Sequence, residues 1–251
     1  MKKAQVTVFI IIGVVILLIG ILVFSFRHQI LESSIAKKLL GTSAAKERIS
    51  LEKEKISRCI ENVIIEDIYE IGENGGYSRL TGGPSLMYLN ISYRYLVYNS
   101  ESLLPTKEDL INELEKTINF DINTRCPLEI VPEDGTEIKY GIGVVNLDLS
   151  KGIAKAVVEW PIDITALNLT QRVDKFEFEY EIDLEKYLNI TEDIIKTDLA
   201  YMPSVCLTCI AKIGDANNVE ITISHHDNNV VYTVIDNTLE RPYYFAFASQ
   251  H

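Results

Sequence analysis

Positive charge is scarce in this sequence. Its 24 Lys and Arg residues face 36 Asp and Glu, a formal net charge of −12. The first 27 residues contain Lys2, Lys3 and Arg27 and no acid, so residues 28–251 carry −15. A domain that acidic repels nucleic acid phosphates and anionic lipid heads alike, which excludes a nucleic-acid partner and membrane binding through surface charge. Catalytic signatures are missing as well. There is no G-x-S-x-G, no H-E-x-x-H, no Walker loop and no Rossmann glycine pattern, so no enzyme activity, cofactor or metal centre is expected. No fixed-period repeat emerges, which excludes a solenoid or propeller. Apolar residues make up 47% of the chain, enough for a packed core and too many for a disordered protein.

One long uncharged run stands at the other extreme. From Val6 to Phe26 the only polar side chains are Thr7 and Ser25, with Gly13 and Gly20 between them. At ~1.5 Å per residue a helix of this length spans ~30 Å, the thickness of a hydrocarbon core. It exceeds the roughly 7–15 residues of a secretory h-region, and no A-x-A-like cleavage site follows it. The expectation is a single transmembrane helix that holds the chain to membrane lipid. Lys2 and Lys3 flank one side and Arg27, Lys37 and Lys38 the other, so the positive-inside rule barely decides orientation. The short N-terminal flank and the long domain that follows favour a C-terminal part outside the cytoplasm. Asn90-Ile-Ser92, Asn168-Leu-Thr170 and Asn189-Ile-Thr191 match the N-glycosylation pattern and agree weakly with that side.

The residues Lys2-Lys3-Ala4-Gln5, followed directly by Val6-Thr7-Val8-Phe9-Ile10, resemble an archaeal class III, prepilin-type leader. The resemblance implies cleavage on the cytoplasmic side between Ala4 and Gln5, leaving Gln5 as the new N-terminus, and an apolar helix that enters a filament core or stays in the membrane. Major pilins carry Glu at the fifth mature position, where this chain has Phe9; a minor pilin or a plain surface anchor fits better. A wider resemblance is to a set of membrane-anchored proteins of small-genome archaea. It is carried by Cys59 on a helix, the Gly75-Gly76-Tyr77 turn, a second helix closed by Cys126, and the final Tyr244-Phe245-Ala246-Phe247-Ala248 strand. It implies a topology and no chemistry.

Three segments are expected: a leader and transmembrane helix over 1–27, a juxtamembrane connector and stalk helix over 28–72, and an acidic extracytoplasmic domain over 73–251. Gly41-Thr42-Ser43 reads as a break before a helix from about Ala44 to Gly72. Ile56, Ile60, Val63, Ile64, Ile68 and Ile71 recur there at steps of three and four, which marks one buried face. Gly75-Gly76 ends it. Leu86 to Tyr98 reads as one or two strands, and a second helix starts at Thr106 with Asp109 three residues on. Residues 137–149 and 153–164 read as a hairpin about Ser150-Lys151-Gly152. Val173, Phe176, Phe178, Tyr180 and Ile182 alternate with Lys175, Glu177, Glu179 and Glu181, a strand with one wet face. A third helix covers Leu184 to Tyr201, and strands near 219–224, 230–235 and 243–248 close the chain. The order predicts an α+β fold: a mainly antiparallel sheet with packed helices.

The four cysteines carry the sharpest expectation. Outside the cytoplasm an even count reads as a disulfide framework. Cys59–Cys126 would tie the stalk helix to the domain, and Cys206–Cys209 would close locally, although four cysteines allow three pairings. Two sharper readings weigh less. Cys206-Leu-Thr-Cys209 could form a redox dithiol at a helix N-terminus, but Ile210-Ala211-Lys212-Ile213 reaches Gly214 too soon to read as a helix. The four could hold zinc, but only one close pair exists. His225-His226-Asp227 reads as an exposed turn rather than a metal site, since adjacent strand residues point apart. Glu177, Glu179 and Glu181 read as a solvated face rather than calcium ligands, and Trp160 as core. The function expected is a membrane-anchored structural or interaction protein, pilin-like or minor-pilin-like, with pilin-like subunits or surface proteins as partners. The alternatives are a tethered binding or accessory domain that forms no filament and, behind it, thiol-redox activity.

Overall fold

The computed structural model describes residues 14–21, 34–150 and 152–251. The fold is a mixed α+β arrangement of curled, antiparallel-rich sheets with packed helices. The leader at Ala4 and Gln5 lies outside the described residues, as does most of the apolar run. Residues 14–21 of that run are helical, with aliphatic side chains about half exposed. Among the described residues no helix is long and apolar enough to cross a membrane.

The chain divides into two compact units, Met1–Glu52 with Pro132–Ile138 and Ile164–Gln171, and Lys53–Val131 with Lys139–Asp163 and Arg172–His251. In the first, Ala45 and Ile49 are buried on the helix, Arg48 Nη1 donates to the Asp134 carbonyl (2.7 Å), and the Glu133 amide donates to Glu52 Oε1 (3.0 Å).

The first long helix, α1, spans Ser34–Glu73. It runs through Gly41-Thr42-Ser43, which corrects the expected break there. A helical glycine costs only about 1 kcal/mol, and the residues that follow are good helix formers. Its isoleucine stripe is buried as the periodicity predicts, with Ile56, Ile60, Val63, Ile64, Ile68 and Ile71 at most 3% exposed. Gly75 and Gly76 take φ of 65° and 87°, and the Gly76 amide donates to the Ile71 carbonyl (2.8 Å), closing the last turn. Gly72 serves another need: a Cβ there would collide with Tyr243 Oη and the Tyr244 carbonyl oxygen.

Strands β1 (Ser85–Tyr88) and β2 (Ile91–Tyr98) form a hairpin, and β3 (Glu101–Ser102) turns back on β2. Helix α2 spans Lys107–Thr124. Its start is the predicted capping box: the Asp109 amide donates to Thr106 Oγ1 (3.1 Å) and the Thr106 amide donates to Asp109 Oδ2 (3.0 Å). A single turn, α3 (Cys126–Glu129), follows.

The expected strand over 137–149 is two strands, β4 (Thr136–Tyr140) and β5 (Val144–Ser150). Gly141-Ile142-Gly143 separates them, and a Cβ on Gly143 would press on Trp160 and Ile122. Then come β6 (Ile153–Ala166) and β7 (Leu169–Tyr180). These four make one sheet, in the order β4-β6-β5 with β7 also on β6. Trp160 is fully buried on β6, and its Nε1 donates to the Gly141 carbonyl (2.9 Å). Along β7 strict alternation fails between Val173 and Phe176, both buried and three residues apart.

Helix α4 covers Leu184–Tyr201, as expected, and α5 covers Leu207–Asn217. The second is a correction, since Gly214 was expected to stop any helix there. Gly214 lies inside α5 because β8 approaches it: a Cβ would meet the Val219 carbonyl at 2.9 Å. The chain ends in β8 (Glu220–His226), β9 (Asn229–Asp236) and β10 (Tyr243–Gln250). The larger sheet has the order β1-β2-β10-β9-β8. Its β2–β10 pair is parallel, a departure that joins segments about 150 residues apart. Strand β10 is buried on both faces from Phe245 to Ser249, which accounts for its uninterrupted apolar run.

The free edge of β5 is closed by side chains of α2. Asn123 Oδ1 accepts from the Gly143 amide (2.8 Å) and its Nδ2 donates to the Gly143 carbonyl (2.9 Å). Asn119 Oδ1 accepts from the Val145 amide (2.8 Å), and Glu115 Oε1 from the Leu147 amide (2.7 Å). Three residues one helical turn apart thus satisfy alternate positions of a strand that would otherwise present an open edge.

Candidate functional site

The cysteines pair as the favoured reading has it, at disulfide distance. Cys59 on α1 meets Cys126 at the start of α3, with Cα atoms 5.8 Å apart, and Cys206 meets Cys209 at 5.2 Å. Cys59 is 7% exposed and Cys126 is fully buried; Cys206 and Cys209 are half-buried at the start of α5. Cys206 is the N-cap of that helix, so the C-x-x-C pair does stand at a helix N-terminus, contrary to the argument made from Gly214. The two pairs lie apart in the fold as separate bridges, which leaves no set of four thiolates for zinc. Among the described residues no group of three or more His, Cys, Asp or Glu is placed to hold a metal ion.

A cluster with no local sequence pattern sits near the first bridge. Arg79, in the turn after α1, grips Asp121 of α2 through Nη2, at 2.6 Å to each carboxylate oxygen. Its Nη1 reaches Glu70 and lies 3.4 Å from Asp67 Oδ1, both on α1. Arg125 adds a bond to Glu66 (2.7 Å) and a longer one to Asp121 (3.3 Å). Asp67 and Asp121 are 2% and 1% exposed. Burial, then the facing Asp121 carboxylate, push Asp67 up to about 7, with Arg79 pulling the other way. Asp67 Oδ2 has no hydrogen-bond partner. Two buried carboxylates on one arginine resemble an acid–base pair in outline. Both are almost wholly buried, and they act as a clamp between α1, the Gly-Gly-Tyr turn and α2. That turn is held further by the Ser78 amide on Glu113 Oε2 (3.1 Å) and by Tyr77 Oη on the Leu103 carbonyl (2.6 Å).

Asp198 of α4 is the second buried carboxylate centre. It accepts from Tyr232, from Ser249 Oγ (2.5 Å) and from His251 Nε2 (3.0 Å). A serine, an aspartate and a histidine in contact invite comparison with a hydrolytic triad. Here serine and histidine both bond to the carboxylate rather than to each other, and Ser249 is fully buried. Nucleophile and base are therefore not coupled, and the arrangement joins α4 to β9 and β10 without activating an attacking oxygen. A third, Asp236 at the end of β9, takes Lys186 Nζ (2.8 Å), Tyr187 Oη (2.9 Å) and Thr238 Oγ1 (2.5 Å). Burial alone would raise this carboxyl; the hydrogen bonds from Lys186, Thr238 and Tyr187 outweigh it and hold it at about 2.

An open cleft of about 430 Å³ lies between α1, the end of β7 and residues 239–241. Tyr69 and Tyr180 line it, and the Arg241 guanidinium carbon sits 4.1 Å over the Tyr69 ring. It brings no nucleophile and base within reach of each other.

The remaining sequence candidates are dispersed. Lys155 of β6 stands 3.1 Å from Glu179 and 3.9 Å from Glu177, so the expected wet face of β7 already has its cation. His226 packs its ring on Tyr88 at 5.0 Å, while His225 is exposed beside it. Asn90 and Asn168 are exposed at hairpin turns, and Asn189 lies on α4. No family model, curated protein or solved structure matches the chain.

Proposed function

We propose that this chain is a membrane-anchored, extracytoplasmic structural or interaction protein of pilin-like or minor-pilin-like kind. The observation that carries the reading is a conjunction. An uncharged run from Val6 to Phe26 is long enough to span a bilayer, and the domain behind it has all four cysteines in two bridges. Such bridges persist in oxidising compartments and are rare in a reduced cytosol. The interior supports a structural part more than a catalytic one: its buried carboxylates at Asp121, Asp198 and Asp236 each tie separate elements together. Phe9 at the fifth position of the mature chain favours one variant of the reading, a surface anchor that does not polymerise as a major filament subunit.

The test is the N-terminus and location of the full-length protein in membrane fractions. The expected result is a chain that needs detergent for extraction and whose N-terminal peptide begins at Gln5. An intact Met1 on a detergent-extracted chain rejects the leader and keeps the anchor. Recovery of the uncleaved chain in aqueous extract rejects both.

A further inference from the structure

The three Asn-x-Ser/Thr segments share a longer pattern: Leu89-Asn90-Ile91-Ser92, Leu167-Asn168-Leu169-Thr170 and Leu188-Asn189-Ile190-Thr191. The fold gives the same four-residue pattern two different settings. Leu89 and Asn90 are the two central residues between β1 and β2, with φ of 51° and 65°; Leu167 and Asn168 occupy the same places between β6 and β7, with φ of 48° and 70°. Two consecutive positive φ values are what a tight two-residue hairpin turn needs, and asparagine accepts them better than most residues. Asn90, Ile91 and Ser92 are all exposed, as are Asn168 and Thr170. At the third segment the chain is helical within α4, and Thr191 is fully buried although Asn189 is exposed.

We propose that the folded protein accepts asparagine-linked glycans at Asn90 and Asn168 and refuses them at Asn189. The proposal rests on the extracytoplasmic reading, since the glycan donor and its transferase act on that side. The donor is a polyprenyl-phosphate-linked oligosaccharide of the membrane. The Asn Nδ2 forms a bond to the sugar C1 and loses one proton; the C1–O bond to phosphate breaks, and the lipid phosphate leaves with its electron pair. Transfer needs the amide and the hydroxyl two residues on to be presented together on a loop the enzyme can grip. Both hairpin tips offer that pair. In α4 the hydroxyl faces the core, and reaching it would require unfolding the helix.

An independent feature points the same way at Asn90. Met87, Leu89 and Ile91 are 66%, 75% and 53% exposed around that turn, an apolar tip without cover from the rest of its own unit. An oligosaccharide on Asn90 lays the C–H faces of its rings beside these side chains and keeps the tip from associating with other molecules. Leu167, 48% exposed, stands in the same relation to Asn168.

The test uses the full-length chain made in a cell that has an asparagine-linked glycosylation pathway. Trypsin separates the three sites, on peptides 80–94, 156–172 and 187–196. Whole-oligosaccharide mass increments are expected on the first two peptides and not on the third. Ser92→Ala should abolish the increment on 80–94 while the turn asparagine stays in place. The same digest reports whether the cysteines are bridged. Unmodified 80–94 and 156–172 peptides from a chain with bridged cysteines overturn the proposal and leave the location standing. Free cysteines on an unmodified chain overturn the location and the proposal with it. An increment on 187–196 matching the other two overturns the selection by folded structure.

Discussion

At the scale of single residues, the buried carboxylates are tuned in opposite directions and should shape the pH dependence of stability. Asp67 is held up to about 7 by burial and by Asp121, against an ordinary value of 3.8. A carboxyl whose folded-state value exceeds its unfolded one binds its proton more tightly when folded. Its contribution is complete below about pH 4 and is lost as pH rises to about 7. Asp67→Asn removes that loss, since the amide is neutral throughout and still faces Asp121 and Arg79. The variant should be more stable than the parent by up to about 4 kcal/mol at pH 8, with the gap closing toward pH 4. Thermal melts at both pH values decide the matter; a variant destabilised equally at both would show that Asp67 works as a charged partner of Arg79. Asp236 behaves in the opposite sense. Held at about 2, its contribution is present above about pH 4 and is lost as pH falls toward 2. In Asp236→Asn the acid-unfolding curve should flatten between those limits, with stability already reduced at pH 7 because Lys186 loses its charge partner.

At the scale of elements, the docking of α2 on the edge of β5 makes a sharper prediction than any single core contact. Gly143 is buried, and Asn123 satisfies both its amide and its carbonyl. Asn123→Ala leaves two buried backbone groups unpaired and should cost about 1–3 kcal/mol. Urea unfolding should show a lower midpoint with an unchanged slope, and the Gly143 amide should lose hydrogen-exchange protection ahead of its neighbours on β5. Helices were the legible part of this fold. The isoleucine spacing of α1, the capping box of α2 and the apolar pattern of α4 are local signals, and each element is where its signal puts it. Four features were not legible, and in all but the first a distant segment decides. Gly41 does not break α1, since nothing downstream requires a turn there. Gly141 and Gly143 split an apparent single strand because Pro161 and Trp160 leave no room for a side chain. Gly214 reads as a helix stop but is the residue that lets β8 approach α5. The parallel register of β2 and β10 depends on residues at opposite ends of the domain. The Asp67–Arg79–Asp121 clamp was invisible for the same reason, since residues 67, 79 and 121 share no local pattern.

At the scale of the whole molecule, the two disulfides differ in what must move before a reductant can reach them. Cys126 is fully buried and Cys59 nearly so, between the isoleucine face of α1 and the start of α3. Cys206 and Cys209 are half-buried at the N-terminus of α5, beside the exposed Leu207. Thiol–disulfide exchange needs in-line attack on a sulfur, so access sets the order of opening. The local bridge should open first, in the native state, and the long one should stay closed until α1 and α2 separate. Closing a 67-residue separation removes about 4 kcal/mol of chain entropy from the unfolded state on the usual model, whereas a three-residue separation removes far less. Mild reductant followed by alkylation and peptide mapping should therefore label Cys206 and Cys209 and leave Cys59 and Cys126 unlabelled, with the melting temperature almost unchanged. Adding urea to its midpoint under the same reductant should label all four, after which the transition should shift irreversibly to lower denaturant. The paired substitution Cys59→Ser with Cys126→Ser should reproduce that shift without reductant, and the paired substitution at Cys206 and Cys209 should not. Early labelling of Cys59 or Cys126 in the absence of urea would mean that α1 detaches from α2 in the native state, and that the long bridge spans two elements that move apart without global unfolding.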